Sequence, residues 1–312
     1  MMELLQNAKF IGTGVALITP FKKDLTVDTE ALKALVNHCI EGGVEYIVAL
    51  GTTAEAVTLN TEEKLLVRKT IVDETSNRVP LIVGVGGNNT AELVQQLKVD
   101  KLDGFDAVLS VSPYYNKPTQ EGIYQHFVAL ADVSEKPIIL YNVPSRTGSD
   151  MTAETIIRLA KAHSNIIGIK EASGDMGKME ELIQKVPKGF LVISGDDLTA
   201  LPTVQKGGAG VISVLGQGIP ALFSLMIRHG LKGDAEEARE INSSITSMIH
   251  LIFKEGNPAG IKTLLELKNI GSSLVRLPLV ESSFDLKSEI KTALERLKKK
   301  QNRLRSAEEE LN

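Results

Sequence analysis

At 312 residues, 43% of them hydrophobic, the chain is long enough to enclose a sizeable core in one large domain or two modest ones. A formal net charge of −4, with no concentrated basic patch before the C-terminal tail, argues against nucleic acid as the main partner. A single cysteine, Cys39, excludes an internal disulfide and suits a reducing, cytoplasmic compartment, and no apolar run approaches the roughly 18 residues needed to span a membrane.

The opening MMELLQNAKF lacks a basic segment followed by an apolar one, so it does not read as a secretory signal. GVALIT from Gly14 is the first strand-like run. DTEALKALVNHCIEGG follows as a helix, with Asp28 as its cap, Gly42–Gly43 as its stop and Cys39 as a small core residue. YIVAL from Tyr46 leads through GTTAEAVTL into NTEEKLLVRKTIVDE, a helix capped by Asn60 or Thr61 with glutamates in its first turn. LIVGV from Leu81 runs into GVGGNNTAEL. Gly84-x-Gly86 is followed there by Asn89 where a dinucleotide fingerprint wants glycine, so a tight turn is the better reading. The pattern then repeats, with AVLSV from Ala107, PIILYN from Pro137, IIGIK from Ile166, FLVIS from Phe190 and GVISV from Gly210. The helix-like TQEGIYQHFVALADVS, TAETIIRLAKAH, MEELIQKV and LTALPTVQKGG lie between them.

Most of these runs are apolar on consecutive residues, as strands buried on both faces should be. Eight of them alternating with helices predict a closed (β/α)8 TIM barrel, with an open doubly wound sheet as the structural alternative. After residue 233 the strands stop. We expect residues 1–233 to form the barrel and 234–312 a helical appendage, its charged end from about Lys300 a frayed or projecting helix. The five histidines are scattered, and none pairs with another or with Cys39 at metal-ligand spacing.

In a barrel, chemistry collects at the C-terminal ends of the strands, where the loops converge. The residues due there are Thr52 and Thr53 after the second strand, Tyr114 and Tyr115 after the fourth, Tyr141 and Arg146 at the fifth, Lys170 at the sixth and Gly195 at the seventh. Each has an ordinary use. Lys170 could sit on the surface, Thr52 and Thr53 could start a helix, and Arg146 could pair with Asp150. Gathered at one mouth, they suggest more. An uncharged amine attacks a ketone, and an apolar wall, here expected from Ile169 and Ile212, disfavours the charged form. Hydroxyls in a Tyr–Thr–Tyr chain can relay protons, and a guanidinium matches a carboxylate.

GTTAE, SPYYNKP, YNVPSRTG and GIKEASGD, in that order, resemble the pyruvate-dependent class I aldolases, and the likeness runs from GTGVALITPF through NPAGIK. The resemblance implies a lyase that needs neither cofactor nor metal. It would condense pyruvate with L-aspartate 4-semialdehyde on the way to diaminopimelate and lysine. N-acetylneuraminate lyase or a sugar-acid aldolase is the alternative, and Arg146 with the Tyr114–Tyr115 pair tilts the choice away from it. Carried over by position, Lys170 forms the Schiff base, Tyr141 shuttles protons, and Thr52 links it to Tyr115 of a neighbouring subunit. Thr53 holds the pyruvate carboxylate, Arg146 receives the second substrate's carboxylate, and Gly195 and Ile212 line the pocket. A homo-oligomer follows, usually a tetramer built from tight dimers. Ala54 replaces the usual glycine, which is tolerable if φ there is negative. Asn88, Glu92 and Tyr114 match a site where many members bind lysine as an inhibitor, whereas Ala56, Thr61 and Lys64 depart from a lysine-sensitive form. Weak or absent inhibition by lysine is therefore expected.

Overall fold

Eight parallel strands pair in chain order and close on themselves: β1 Gly12–Ala16, β2 Tyr46–Ala49, β3 Leu81–Gly84, β4 Ala107–Val111, β5 Ile138–Asn142, β6 Ile166–Glu171, β7 Leu191–Ser194 and β8 Gly210–Ser213. The computed structural model describes residues 7–310, with side chains as far as Lys299. The ring is completed by β1 against β8, Gly12 standing opposite Gly210. It is therefore the expected closed (β/α)8 barrel, not an open sheet.

β1 starts two residues before the apolar run that predicts it, because Gly12, Thr13 and Gly14 are strand residues chosen for smallness. A Cβ on Gly14 would fall inside the ring of Tyr46. That ring meets Phe10 edge to face at 5.6 Å, and the pair belongs to the apolar cluster that fills the barrel interior. A second, larger cluster lies between the outer faces of the strands and the helices.

Helices begin where short polar side chains accept backbone N–H groups. Asp28 accepts from Ala31, Asn89 from Glu92, Thr119 from Gly122, Thr152 from Thr155 and Asp175 from Gly177. Asn60, not Thr61, caps the helix Thr61–Thr75, and Glu63 returns the bond to the backbone of Asn60. An eighth barrel helix, Pro220–Lys232, follows LGQGIP and is not signalled by the strand pattern.

Gly233, at φ +90, joins that helix to the next, Ala235–Phe253. The helices Ala259–Glu266 and Phe284–Glu310 complete the appendage. Its buried Ile245, Ile249, Leu264, Leu286 and Ile290 share one cluster with the outer barrel wall, so it has no core of its own. The backbone from Lys300 to Glu310 is helical. The expectation of a frayed or projecting tail lies otherwise outside the described residues. Among the described residues no helix is long and apolar enough to cross a membrane.

Candidate active site

The position of Lys170 depends on a slip in strand pairing. On β5, Ile139 and Tyr141 belong to the interior cluster, Ile138 and Leu140 to the outer one. On β6, Ile166 faces out and Ile167 faces in. Strict alternation would then turn Ile169 inward and Lys170 outward. Instead the register shifts by one residue: Ile138 stands opposite Ile166, but Ile139 stands opposite Gly168 and Tyr141 opposite Lys170. The extra residue reverses the phase of the strand. Ile169 joins the outer cluster, so the expected apolar wall from Ile169 is corrected: Ile193 of β7, opposite Lys170, takes that place beside Ile212.

Lys170 therefore reaches into the barrel, only 5% exposed, with its Nζ 4.3 Å from the centroid of the Tyr141 ring. Two glycines set the packing around it, Gly168 against β7 and Gly195 against the lysine itself. A Cβ on Gly168 would press on the Leu191 carbonyl oxygen at 2.8 Å. A Cβ on Gly195 would lie 3.0 Å from Cγ and Cε of Lys170 and 2.6 Å from Cβ of Ala172. Gly195 thus touches the stem of the lysine itself.

Behind this pair, Asn142 and Glu171 face outward, both buried. The Asn142 amide donates to both Glu171 oxygens at 3.0 and 2.9 Å and to Asp150 Oδ1 at 2.7 Å, and its carbonyl oxygen accepts from the Met151 N–H. Lys178 bridges Asp150 at 2.6 Å and Glu171 at 3.4 Å. Asp150 is thereby occupied, and the surface pair with Arg146 does not form. Arg146 stands exposed on the short helix Pro144–Thr147, and among the described residues no side chain pairs with its guanidinium.

After β2 the chain makes a 3-10 turn over Thr52–Ala54 and closes it with Glu55 at φ +54. Ala54 is not among the residues of positive φ, so the condition for alanine there is met. Thr52 is exposed and Thr53 is buried. Tyr115, at φ +66, is 90% exposed, and Tyr114 is tied through its backbone N–H and C=O to the side chain of Asn88. Glu92 lies in the first turn of the helix Thr90–Val99. No hydrogen bond joins the hydroxyls of Tyr141, Thr52 and Tyr115 among the described residues, so a Tyr–Thr–Tyr relay is not assembled within one chain. Asp197, after β7, accepts from Ser213 Oγ at 2.5 Å and from the Leu215 N–H at 2.8 Å, linking the loops after β7 and β8. Burial outweighs these bonds and raises its carboxyl to about 6.

Sequence reasoning missed three residues from the appendage. Asn257 Nδ2 donates to Thr53 Oγ1 at 2.9 Å. Lys262 Nζ meets Glu55 Oε1 at 2.5 Å, and the Arg276 N–H donates to Glu55 Oε2 at 2.9 Å. They lie some 200 residues from their partners, and a lysine inside NPAGIK carries no local sign of burial. Among the described residues no three His, Cys, Asp or Glu side chains converge as metal ligands. What the structure brings together is a buried amine with a phenol beside it, while the threonine-bearing turn follows β2 and the unpaired guanidinium of Arg146 follows β5, at the same end of the barrel. That set suits imine chemistry on a small oxo acid.

Comparison with known proteins agrees in kind. The Dihydrodipicolinate synthetase family profile matches residues 9–297. The chain is 54% identical over 290 residues to the 4-hydroxy-tetrahydrodipicolinate synthase of Flavobacterium psychrophilum, covering 93% of this chain and 99% of that protein. Its identity to the Cytophaga hutchinsonii protein of that name is 50% over 284 residues, covering 91% and 95%. Among solved structures, the synthase of the thermoacidophilic methanotroph Methylacidiphilum fumariolicum SolV superposes with a TM-score of 0.90 at 36% identity, covering 95% of this chain and 98% of that one.

Proposed function

The chain belongs to the dihydrodipicolinate synthetase family, and from that premise we infer that it condenses pyruvate with L-aspartate 4-semialdehyde, the reaction of a 4-hydroxy-tetrahydrodipicolinate synthase. It is a lyase of the diaminopimelate and lysine route, working in the cytoplasm.

The reading rests most on one observation, a lysine turned into the barrel beside a tyrosine at the C-terminal ends of β5 and β6. The Lys170 amine attacks the pyruvate ketone, and loss of water leaves an imine. The imine withdraws electrons, so a methyl proton leaves and an enamine forms. Tyr141 carries protons to and from these steps. The Thr53 hydroxyl holds the pyruvate carboxylate. The enamine carbon attacks the aldehyde of the second substrate, whose carboxylate meets Arg146. That substrate's own amine then displaces Lys170 and closes the ring. Gly195 and Ile212 shape the pocket.

Tyr115 supports a division of labour between subunits. Its side chain is almost wholly exposed in a single chain, and it completes the proton path, through Thr52, in a neighbouring copy. The assembly is a tetramer of tight dimers. Asn88, Glu92 and Tyr114 mark the position of an effector site, and Lys64, half-buried here, disfavours a bound ammonium where lysine-sensitive forms carry a histidine. Inhibition by lysine is therefore weak, and an inhibition constant well below millimolar would contradict that.

Purified enzyme supplied with pyruvate should turn over L-aspartate 4-semialdehyde and leave N-acetylmannosamine and sugar aldehydes unreacted. Faster turnover of the sugar aldehydes would reverse the assignment.

A further inference from the structure

The Thr52–Ala54 turn is pinned from the loop after β1 and from the appendage. Thr19 Oγ1 donates to the Ala54 carbonyl at 2.7 Å, Asn257 donates to the Thr53 hydroxyl, and Glu55 is anchored at both carboxylate oxygens by Lys262 and the Arg276 N–H. Lys262 has no exposed surface and Glu55 is 2% exposed. Lys262 also donates to the Leu274 carbonyl at 2.7 Å, and its Nζ lies 4.1 Å from the centroid of the Phe21 ring.

A sealed ion pair is a poor way to gain stability. Desolvating both charges costs several kcal/mol, and a well-packed apolar pair of similar volume often does as well. Burial pushes the Lys262 amine below its ordinary range while Glu55 pulls it back up. A pair of this kind gives fixed geometry instead. Glu55 occupies a left-handed backbone conformation that is costly for a side chain of its kind. Its carboxylate reaches the appendage from there and clamps the end of the turn. Asn257 acts on the same turn differently. By donating to Thr53 Oγ1 it takes up a lone pair of that oxygen and leaves the hydroxyl hydrogen free to donate to another acceptor.

We propose that the helical appendage, through Asn257 and the Lys262–Glu55 pair, is a positioning device that presets the Thr53 hydroxyl to receive the carboxylate of pyruvate. Asn257, Lys262 and Glu55 are positioning residues and need not touch substrate. The proposal rests on the functional reading above, and wild-type turnover tests that reading separately.

The test compares steady-state kinetics in both substrates for Asn257→Ala, for Thr53→Val and for the two combined, with Glu55→Gln/Lys262→Met as a further variant that leaves no charge unpaired. Asn257→Ala should raise the KM for pyruvate by about tenfold or more, in line with the cost of misplacing a binding group by a fraction of an ångström. The kcat and the KM for the aldehyde should move only a few-fold. In the Thr53→Val background Asn257→Ala should add nothing, because its effect passes through that hydroxyl. Glu55→Gln/Lys262→Met should show the same selective rise. If it fails to fold, the Asn257/Thr53 cycle stands alone. A fall in kcat with both KM values unchanged, or additive effects of Asn257→Ala and Thr53→Val, would overturn the proposal. Absence of turnover in the wild type would instead overturn the functional reading.

Discussion

Single atoms decide much of this site. At position 195 a methyl group would meet Cβ of Ala172 at 2.6 Å and crowd the Lys170 stem at 3.0 Å. Gly195→Ala should therefore leave the barrel folded while lowering kcat by about 100-fold, the order of loss when a reacting group moves by an ångström. Equal kcat in the two proteins would show that the stem has room to spare. Arg276 offers a second case. Its guanidinium is bidentate to Glu63 at 2.5 and 2.8 Å and, with the Asn60 N–H, holds that carboxyl down at about 2 from its ordinary 4.5. A carboxyl lowered on folding contributes stability that is complete above pH 4.5 and is lost as pH falls through 2. Solvent screening at this partly exposed pair reduces the contribution to roughly 1–2 kcal/mol. Glu63→Gln keeps the helix cap, so denaturant titrations should show that deficit at pH 7 and almost none near pH 2. A deficit independent of pH would assign the loss to packing.

β6 is the element on which the chemistry turns, and its sequence hides the reason. IIGIK is apolar throughout, so composition announces a strand buried on both faces but not which residues face which way. The slip at Ile167 inverts the phase and brings Lys170 inside, and nothing local in the sequence encodes it beyond Gly168. The strands themselves were legible because parallel barrel strands are consecutive apolar runs, and most helix starts because Asp, Asn and Thr caps are local signals. The start of β1 at Gly12 was missed because Gly12 and Gly14 are small for packing reasons that lie on Glu45 and Tyr46. The mouth residues were legible as strand ends, whereas Asn257, Lys262 and Arg276 were not, because their partners are distant in sequence. The outward network steadies the same two strands. Asn142→Ala would strip the Glu171 carboxylate and the Met151 N–H of buried partners, at a cost of about 2–4 kcal/mol. A lower denaturation midpoint would register it, and a midpoint equal to wild type would mean that Lys178 and the Ser173 N–H suffice to hold Glu171.

For the whole molecule, the barrel and its appendage are energetically one body, since one apolar cluster runs through both and the Thr52–Ala54 turn is held from the far end of the chain. The proposed completion of the site by a neighbour's Tyr115 predicts complementation. Lys170→Ala and Tyr115→Phe should each be nearly inactive alone. Refolded together, mixed dimers carry one site with both an intact lysine and an intact partner tyrosine, and activity should return toward a quarter of wild type, the statistical share. Mixtures no more active than their parents would place Tyr115 outside the neighbour's chemistry.

The predictions about catalysis depend on the amine of Lys170 forming a covalent imine with a keto acid. The direct measurement is mass spectrometry of the enzyme treated with borohydride in the presence of pyruvate. The expected result is one reduced pyruvyl adduct per chain, on the peptide bearing Lys170 and absent from Lys170→Ala. An adduct on a different lysine, or full turnover by Lys170→Ala, would contradict the account.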